Sequence, residues 1–325
     1  MTEPVPEPDP RDRSTKARRG SVAVAVAGSV LGLVAAGLVV RELVLQWGPA
    51  SDAIAGASVG WLAVSVLTGV LAMVLVAWTW ADVMATLGAT PARTSTLRWF
   101  FVGELGKYLP GGVWAVLGRG ELARRGGVPA TVAYSSVVLS LITLYLAAAV
   151  AAALLVPLDL AAQTDDPRAA FGLIVVIGGG VVLLHPRTLQ MVLRYGRRIS
   201  GRGLEVELPS GRVIALLVLR YLPSWLLVGF ATWSIARALD PGASLPRVML
   251  AAIVSWIAGF LAVPVPAGGG IREAVFLAVA GLSGGIGAAT AIAARLLFVA
   301  VDGGGALVST LTGRRRMLAA SPGSD

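Results

Sequence analysis

Glycine and proline interrupt two apolar stretches of the sequence, and charged residues lie beside both interruptions. The first reads Leu-Pro-Gly-Gly at 109–112, with Glu104 and Lys107 before it and Arg119 and Glu121 after it. Glu104 and Lys107 are three residues apart, so they can pair on one face of a helix. An unpaired Lys107 ammonium would suit a phosphate. For Arg119 and Glu121, the sequence is compatible with two roles: the side chains contribute to an anion site, or they are simply exposed to water near the membrane surface. The helix-breaking residues are Pro110, Gly111 and Gly112.

The second interruption, Val-Pro-Ala-Gly-Gly-Gly at 265–270, leads directly into Arg272 and Glu273. A helix that begins after these glycines has unpaired N–H groups and partial positive charge at its N-terminus, which suits an anion. Arg272 is therefore the strongest single candidate for an anion ligand. Alternatively, the glycines only permit close helix packing. Arg295 and Asp302, seven residues apart, lie on one helix face, where they either pair or contact the same site. The glycines are Gly268, Gly269 and Gly270.

The composition places these residues in a membrane protein. Of 325 residues, 56% are hydrophobic and 14% charged, and the mean hydropathy is +0.79. These values lie outside the range of soluble domains. The net charge of +9 comes from short basic blocks between apolar runs, which favours membrane topology and anionic lipid over nucleic-acid binding. The absence of Cys excludes disulfides, thiolate catalysis and cysteine metal sites.

Apolar stretches of about 20 residues predict membrane-spanning helices. The tail 1–20 is rich in Pro and charge and is predicted to be disordered. The apolar run after it is too long for a signal peptide, so we expect an uncleaved anchor. The two interrupted stretches are 96–118 and 249–283. The uninterrupted candidates are 21–45, 57–80, 130–156, 170–186, 213–238 and 286–312.

The charges between these stretches predict the side of the membrane on which each loop lies. Basic residues flank 96–118 on both sides, so this stretch is expected to enter and leave at the cytoplasmic face. The basic run 314–316 is expected to be cytoplasmic too, which makes 249–283 begin and end outside. Both stretches are therefore predicted to be re-entrant hairpins. The flanking residues of the first are Arg93, Arg98, Arg119, Arg124 and Arg125.

The predicted fold is an all-α polytopic membrane protein. Six spanning helices and two re-entrant helical hairpins form an inverted-topology repeat, an architecture of many transporters. The first repeat covers 21–156 and the second 157–313, between the tail 1–20 and a cytoplasmic tail at 314–325. Eight full spans are the alternative, but they would place one basic block outside. A shift of 156 residues aligns Gly103 with Gly259, Pro110 with Pro266 and Gly112 with Gly268.

No motif predicts catalysis. His185 precedes Pro186 at a predicted helix end, and Asp165 and Asp166 lie in a predicted outside loop. There is no zinc-protease motif, nucleophile elbow or Walker loop. We therefore predict no catalytic residue, no metal and no cofactor, and a protein that is not an enzyme.

The motif pair Tyr-Leu-Pro-Gly-Gly and Pro-x-Gly-Gly-x-Ile-Arg-Glu resembles the signature regions of the lysylphosphatidylglycerol synthase transmembrane-region family, over about 21–313. The resemblance implies a polytopic protein that moves or handles a lipid, best known for anionic or aminoacylated phospholipids. The longest polar segment is 187–212, so the synthase domain of full-length members, and its activity, are not expected. Many relatives have an acidic residue early in the helix after the first interruption, where this chain has Tyr134, Ser135 and Ser136. This departure argues against a cationic lysyl lipid as the cargo.

The sequence thus favours a flippase-like transporter of the plasma membrane, with both termini cytoplasmic. Its hairpins would receive an anionic or aminoacylated phospholipid, or a polyprenyl phosphate, in a central cavity. Membrane lipids are the expected partners, and nucleic acid is not expected. The sequence is also compatible with an oligomer or with a partner protein of envelope biosynthesis. The alternatives are a non-transporting subunit of an envelope lipid or glycan assembly complex, and an intramembrane transferase for lipid-linked substrates.

Overall fold

The computed structural model describes residues 47–108, 114–163, 209–262 and 268–320, together with the single positions 41 and 44. Within these ranges every regular element is a helix. A helix satisfies its backbone hydrogen bonds within one segment, so it is the structure that long apolar segments adopt in lipid. The predicted all-α class is confirmed for the described part of the chain.

The described helices are α1 (Trp47–Ala55), α2 (Val59–Thr86), α3 (Arg93–Glu104), α4 (Trp114–Arg125), α5 (Ala130–Gln163), α6 (Gly211–Leu239), α7 (Leu245–Leu261), α8 (Ile271–Ala280) and α9 (Gly284–Ala320). A 3-10 turn, Leu105–Tyr108, extends α3.

Four of these helices, α2, α5, α6 and α9, are long and apolar enough to cross a membrane. They coincide with the predicted spans 57–80, 130–156, 213–238 and 286–312. The predicted tail 1–20 and the predicted spans 21–45 and 170–186 lie outside the described residues, apart from positions 41 and 44.

Several helix boundaries differ from the prediction. The expected loop 46–56 contains α1, α5 continues through Pro157 to Gln163, and α9 continues to Ala320, into the expected cytoplasmic tail. The physical reason is that charge limits where a chain crosses the membrane, not where a helix ends. Arg, Leu and Ala after residue 313 are strong helix formers, and a proline in a membrane helix is tolerated where its neighbours compensate.

The two halves of the described chain pack through matching pairs of helices. Helix α2 packs extensively on α6. The arm before the first interruption, α3, packs on α9, and the arm before the second, α7, packs on α5. Each first arm therefore lies against the last helix of the other half. Each second arm packs on its own first arm and on the helix that follows it, so that α4 contacts α3 and α5, and α8 contacts α7 and α9.

Glycines allow the two arms of each interrupted unit to come close. A Cβ atom at Gly103 on α3 would overlap the Cγ atom of Arg119 on α4, and a Cβ at Gly259 on α7 would overlap Cγ of Arg272 on α8. Gly103 and Gly259 are the glycines that the 156-residue shift aligned. In both units, a glycine on the first arm makes room for the stem of an arginine on the second. Close packing by small residues is therefore one function of these glycines.

Gly268 provides a test of this close approach. Its φ is 62°, and a Cβ there would lie 2.5 Å from Cα and 2.8 Å from the carbonyl oxygen of Gly259, which are backbone atoms without rotamers. We expect Gly268→Ala to lower the free energy of unfolding by about 1–3 kcal/mol, because it combines a left-handed backbone with overpacking. Thermal unfolding in detergent measures this.

Gly303→Ala is the matched control, because no atom lies within 4 Å of a Cβ at this helical position. Helix propensity predicts a neutral effect or a gain of up to about 1 kcal/mol. Equal melting temperatures for Gly268→Ala and Gly303→Ala would contradict the packing that we describe.

Candidate functional site

Lys107 joins two carboxylates from different parts of the fold. Its Nζ atom lies 2.6 Å from Oδ2 of Asp302 on α9 and 3.1 Å from Oε2 of Glu104 on α3. Tyr108 donates its hydroxyl to the same Asp302 oxygen at 2.8 Å. The Asp302 side chain is 0% exposed, and such burial is tolerable only with a cation and hydrogen-bond donors at hand. The predicted pairing of Glu104 with Lys107 is present, and Lys107 also ties the end of α3 to α9.

Arg119 is the second cation beside Glu104. Its side chain is 3% exposed, and its Nε atom lies 3.6 Å from Oε1 of Glu104. The guanidinium faces the rings of Trp80 and Phe100, 5.7 and 5.6 Å from their centroids. Among the described residues, Arg119 Nε and Asp302 Oδ1 are buried without a hydrogen-bond partner. This burial contradicts the solvated interpretation of Arg119. We refer to the following residues as the Lys107 cluster: Glu104, Lys107, Arg119 and Asp302.

Arg272 stacks on Trp256, and Lys107 approaches the same ring. The Cζ atom of Arg272 lies 3.7 Å from the ring centroid, and the Nζ atom of Lys107 lies 5.7 Å from it. Both distances are in the range of cation–π attraction. Trp256 belongs to α7, so cations from both interrupted units converge on one indole. We call Trp256, Arg272 and Lys107 the Trp256 site.

Glu273 neutralises a neighbour of Arg272 rather than Arg272 itself. Its Oε1 atom lies 2.6 Å from Nη1 of Arg295 on α9, and its Oε2 atom accepts a hydrogen bond of 2.7 Å from the backbone N–H of Gly270. The carboxylate thus caps the N-terminus of α8. Among the described residues, no carboxylate lies within ion-pair distance of Arg272. The predicted helix N-terminus is present, but the Gly270 N–H is already bonded to the carboxylate of Glu273.

A cavity of about 20 Å³ lies beside Arg272. This volume is enough for roughly one water molecule. Lys107 does not line this small cavity, so the cavity does not test the expected central cavity for a headgroup. The polar residues that line the cavity are Thr232, Ser255, Trp256, Arg272 and Glu273.

Glu121 lies apart from the Lys107 cluster and from the Trp256 site. At the end of α4 it accepts hydrogen bonds from Arg124, Arg125 and Tyr134, and these bonds lower the pKa of the Glu121 carboxyl. The exposure of this helix end and of its arginines favours the solvated interpretation of Glu121, and its role as a headgroup ligand stays a prediction.

Arg295 and Asp302 have separate partners, so the pair predicted from their spacing does not form. Both nevertheless lie beside the interrupted units, Arg295 through Glu273 and Asp302 through Lys107. Gly268 packs against α7, as described above. Three predicted residues, Pro110, Gly111 and Gly112, lie outside the described part of the chain.

Trp256 and Tyr108 were missed as site residues. Neither charge nor helical spacing singles out Trp256, and Tyr108 stands only in the Tyr-Leu-Pro-Gly-Gly motif. A signal for Trp256 exists in the sequence: it precedes Gly259 by one helical turn, on the arm that faces Arg272. When an aromatic residue lies one helical turn from a glycine that packs against an arginine stem, the arginine side chain can stack on the aromatic ring.

Substitution of Glu273 separates its two contacts. Glu273→Gln keeps an acceptor for the Gly270 N–H but leaves Arg295 without its counterion, and we expect a loss of about 1–3 kcal/mol of unfolding free energy. Glu273→Ala also removes the helix cap, which costs about 0.5–2 kcal/mol more. Thermal unfolding in detergent gives both values. The double variant Glu273→Gln, Arg295→Gln should regain part of the loss, and a Glu273→Gln protein as stable as the wild type would exclude a stabilising ion pair.

Comparisons with known proteins identify the family of the chain. No curated protein matches the chain. The sequence profile of the lysylphosphatidylglycerol synthase TM region matches residues 21–307, which is most of the chain. Because this match covers most of the chain, the chain belongs to the lysylphosphatidylglycerol synthase transmembrane-region family.

Proposed function

We propose that this protein is a flippase-like transporter that moves a lipid between the leaflets of the plasma membrane. The lipid phosphate binds at the Trp256 site, between Arg272 and Lys107. The observation that carries this proposal is Arg272: a cation beside a deep indole, with no ion-pair partner among the described carboxylates. An intramembrane cation without a counterion is costly, and a phosphate would remove that cost.

The balance of charge favours an anionic headgroup. Around the two interrupted units, four cations face three carboxylates, which leaves one positive charge in excess. A lysyl headgroup would add positive charge to this region, whereas the phosphate of an unmodified anionic phospholipid balances it. We therefore rank an anionic phospholipid above an aminoacylated one. The cations are Lys107, Arg119, Arg272 and Arg295, and the carboxylates are Glu104, Glu273 and Asp302.

The cavity of about 20 Å³ beside Arg272 cannot hold a phosphate group with its ester substituents, so we place the lipid phosphate on the side of Arg272 that faces Lys107. Helices α6, α7, α8 and α9 supply the lining residues of this cavity. In the alternating-access cycle that we propose, movement of these helices exposes Arg272 to one leaflet at a time.

The architecture that we propose for this cycle is an inverted-topology repeat with re-entrant hairpins. Helices α3, α4 and α8 have 12, 12 and 10 residues, and α7 has 17. Each is shorter than the roughly 20 residues that a full span needs. The matching helix pairs of the two halves support the repeat. Both termini are cytoplasmic in this proposal, as the flanking arginines predict.

Charge-removing variants test the function. In proteoliposomes that contain fluorescent phosphatidylglycerol, Arg272→Gln and Lys107→Gln should each lower the transport rate about 10- to 100-fold, since a charge-assisted contact contributes about 1.5–3 kcal/mol. Arg272→Lys keeps the charge but not the planar stacking group, so we expect an intermediate rate.

Arg125→Gln is the matched control for these variants, because Arg125 is 72% exposed and, among the described residues, forms an ion pair with Glu121 at a helix end. Its transport rate should equal that of the wild type. Unchanged transport in Arg272→Gln and Lys107→Gln, or no transport of any phospholipid or polyprenyl phosphate by the wild type, would refute the proposed function.

The re-entrant topology has a separate test, helped by the absence of native cysteine. Ala92 is exposed before α3, and Arg125 is exposed at the end of α4. Single cysteines at these two positions should both react with an impermeant maleimide from the cytoplasmic side. Ala123 would be a poor position, because it is 0% exposed. Labelling from opposite sides would mean that the first unit crosses the membrane completely.

A further inference from the structure

Asp302 is a buried carboxylate of which one oxygen atom has partners and the other has none. Its side chain is 0% exposed. The Lys107 ammonium and the Tyr108 hydroxyl both contact Oδ2, at 2.6 and 2.8 Å. Oδ1 is buried and has no hydrogen-bond partner in the described part of the chain. An ionised carboxylate has two acceptor oxygens to satisfy, so the charged form of Asp302 depends mainly on Lys107.

The charged and titratable groups that act on Asp302 come from α3 and the turn after it: Glu104, Lys107 and Tyr108. Glu104 competes for Lys107, since its Oε2 atom lies 3.1 Å from the same ammonium. Lys107 is thus the one cation among the described residues that lies within ion-pair distance of Asp302.

Other charges on the helices that pack on α9 lie in separate contacts. These helices are α1, α2, α3, α6 and α8. Glu273 pairs with Arg295, Asp82 pairs with Arg220, and Arg272 stacks on Trp256. None of these groups takes the place of Lys107 in the described structure. The remaining charged residues of these helices are at least partly exposed: Asp52, Arg93, Arg98, Arg212 and Arg237.

The ion pair between Lys107 and Asp302 joins parts of the fold that move apart in the proposed cycle. Lys107 ends the first arm of the first half, and Asp302 lies on the last helix of the second half. Movement of α9 against α3 therefore stretches or breaks this pair. Gly303, Gly304 and Gly305 follow Asp302 directly, and consecutive glycines let a helix bend more easily than other residues do.

Separation of the pair leaves two charges that each require a new partner. Lys107 has one at the Trp256 site, where its Nζ atom lies 5.7 Å from the ring centroid and where we place the lipid phosphate. Asp302 has no second cation among the described residues. Binding a proton costs less free energy than keeping an isolated carboxylate charged in an apolar interior.

We propose that Asp302 binds a proton when the lipid phosphate takes Lys107, so that one proton moves with each anionic lipid. This inference rests on the proposed function and supplies its energy source, a proton gradient. In the step, a proton from water bonds to a carboxylate oxygen of Asp302. Lys107 keeps its own protons, and its ion pair passes from Asp302 to the phosphate. No covalent bond of the lipid forms or breaks.

Two carboxylates provide a matched pair of variants. Asp302→Asn has the shape of the protonated acid and leaves Lys107 free at every pH. Asp82→Asn makes the same change at a carboxylate that is 21% exposed and pairs with Arg93 and Arg220, apart from the Lys107 cluster. The proposal requires the first variant to lose proton coupling and the second to keep it.

The experiment measures binding of dioctanoyl phosphatidylglycerol to the full chain in detergent by titration calorimetry, from about pH 8 to about pH 5.5. The phosphodiester stays ionised over this range. One linked proton changes an affinity by up to about tenfold per pH unit, so the wild type should bind at least about tenfold more tightly at the acidic end. A pH indicator in weak buffer should show uptake of up to about one proton per bound lipid.

Asp302→Asn should bind at the alkaline end as tightly as the wild type binds at the acidic end, without pH dependence and without proton uptake. Asp82→Asn should match the wild type. In proteoliposomes, a proton gradient should enrich fluorescent phosphatidylglycerol in the leaflet on the alkaline side, except with Asp302→Asn. Proton uptake by the wild type needs no variant, so it tests the proposal even where Asp302→Asn does not fold.

A wild-type affinity that is constant or falls as the pH falls would overturn the proposal, and so would proton uptake that persists in Asp302→Asn. Failure of the proposed function looks different, because Arg272→Gln would then transport as the wild type does. If Arg272→Gln abolishes transport while lipid binding by the wild type is independent of pH, only the proton coupling fails.

Discussion

A carboxylate inside an apolar protein must have a cation beside it, and this requirement governs the described structure. Asp302 is 0% exposed in the middle of α9, a helix that is otherwise suited to lipid. Lys107 and Tyr108 both contact its Oδ2 atom, and they come from the end of the first arm of the first interrupted unit. Because these partners are distant in sequence, neutralising Asp302 also fixes where α3 lies against α9. The Lys107 side chain then reaches the face of Trp256.

The two interrupted units share a packing geometry but differ in how their arginine is compensated. In the first unit, Arg119 lies beside Glu104. In the second, the neighbouring Glu273 turns to Arg295 and to the N-terminus of α8, so Arg272 has an aromatic ring instead of a carboxylate. A ring attracts a guanidinium without neutralising it. The asymmetry therefore gives the second unit a positive charge that a ligand can still neutralise, on a scaffold that the first unit shares.

Much of this arrangement follows from the sequence, and the rest has an identifiable cause. Hydropathy predicts α2, α5, α6 and α9 well, since burial in lipid depends on composition alone. The pair Glu104 and Lys107 follows from helical spacing. The partners of Arg295 and Asp302 cannot be predicted from spacing, because these partners come from other helices. Spacing within one helix carries no information about tertiary contacts. Trp256 was missed for the same reason. Its role depends on the side chain that packs opposite it.

The first arm of each half packs on the last helix of the other half, and this arrangement has a consequence for synthesis in the membrane. Helix α3 is made well before its packing partner α9, because the counterions Lys107 and Asp302 are 195 residues apart. Until α9 is inserted, Lys107 has only Glu104, and the cluster lacks its most buried member. The first interrupted unit therefore acquires its final position only when α9 is in place.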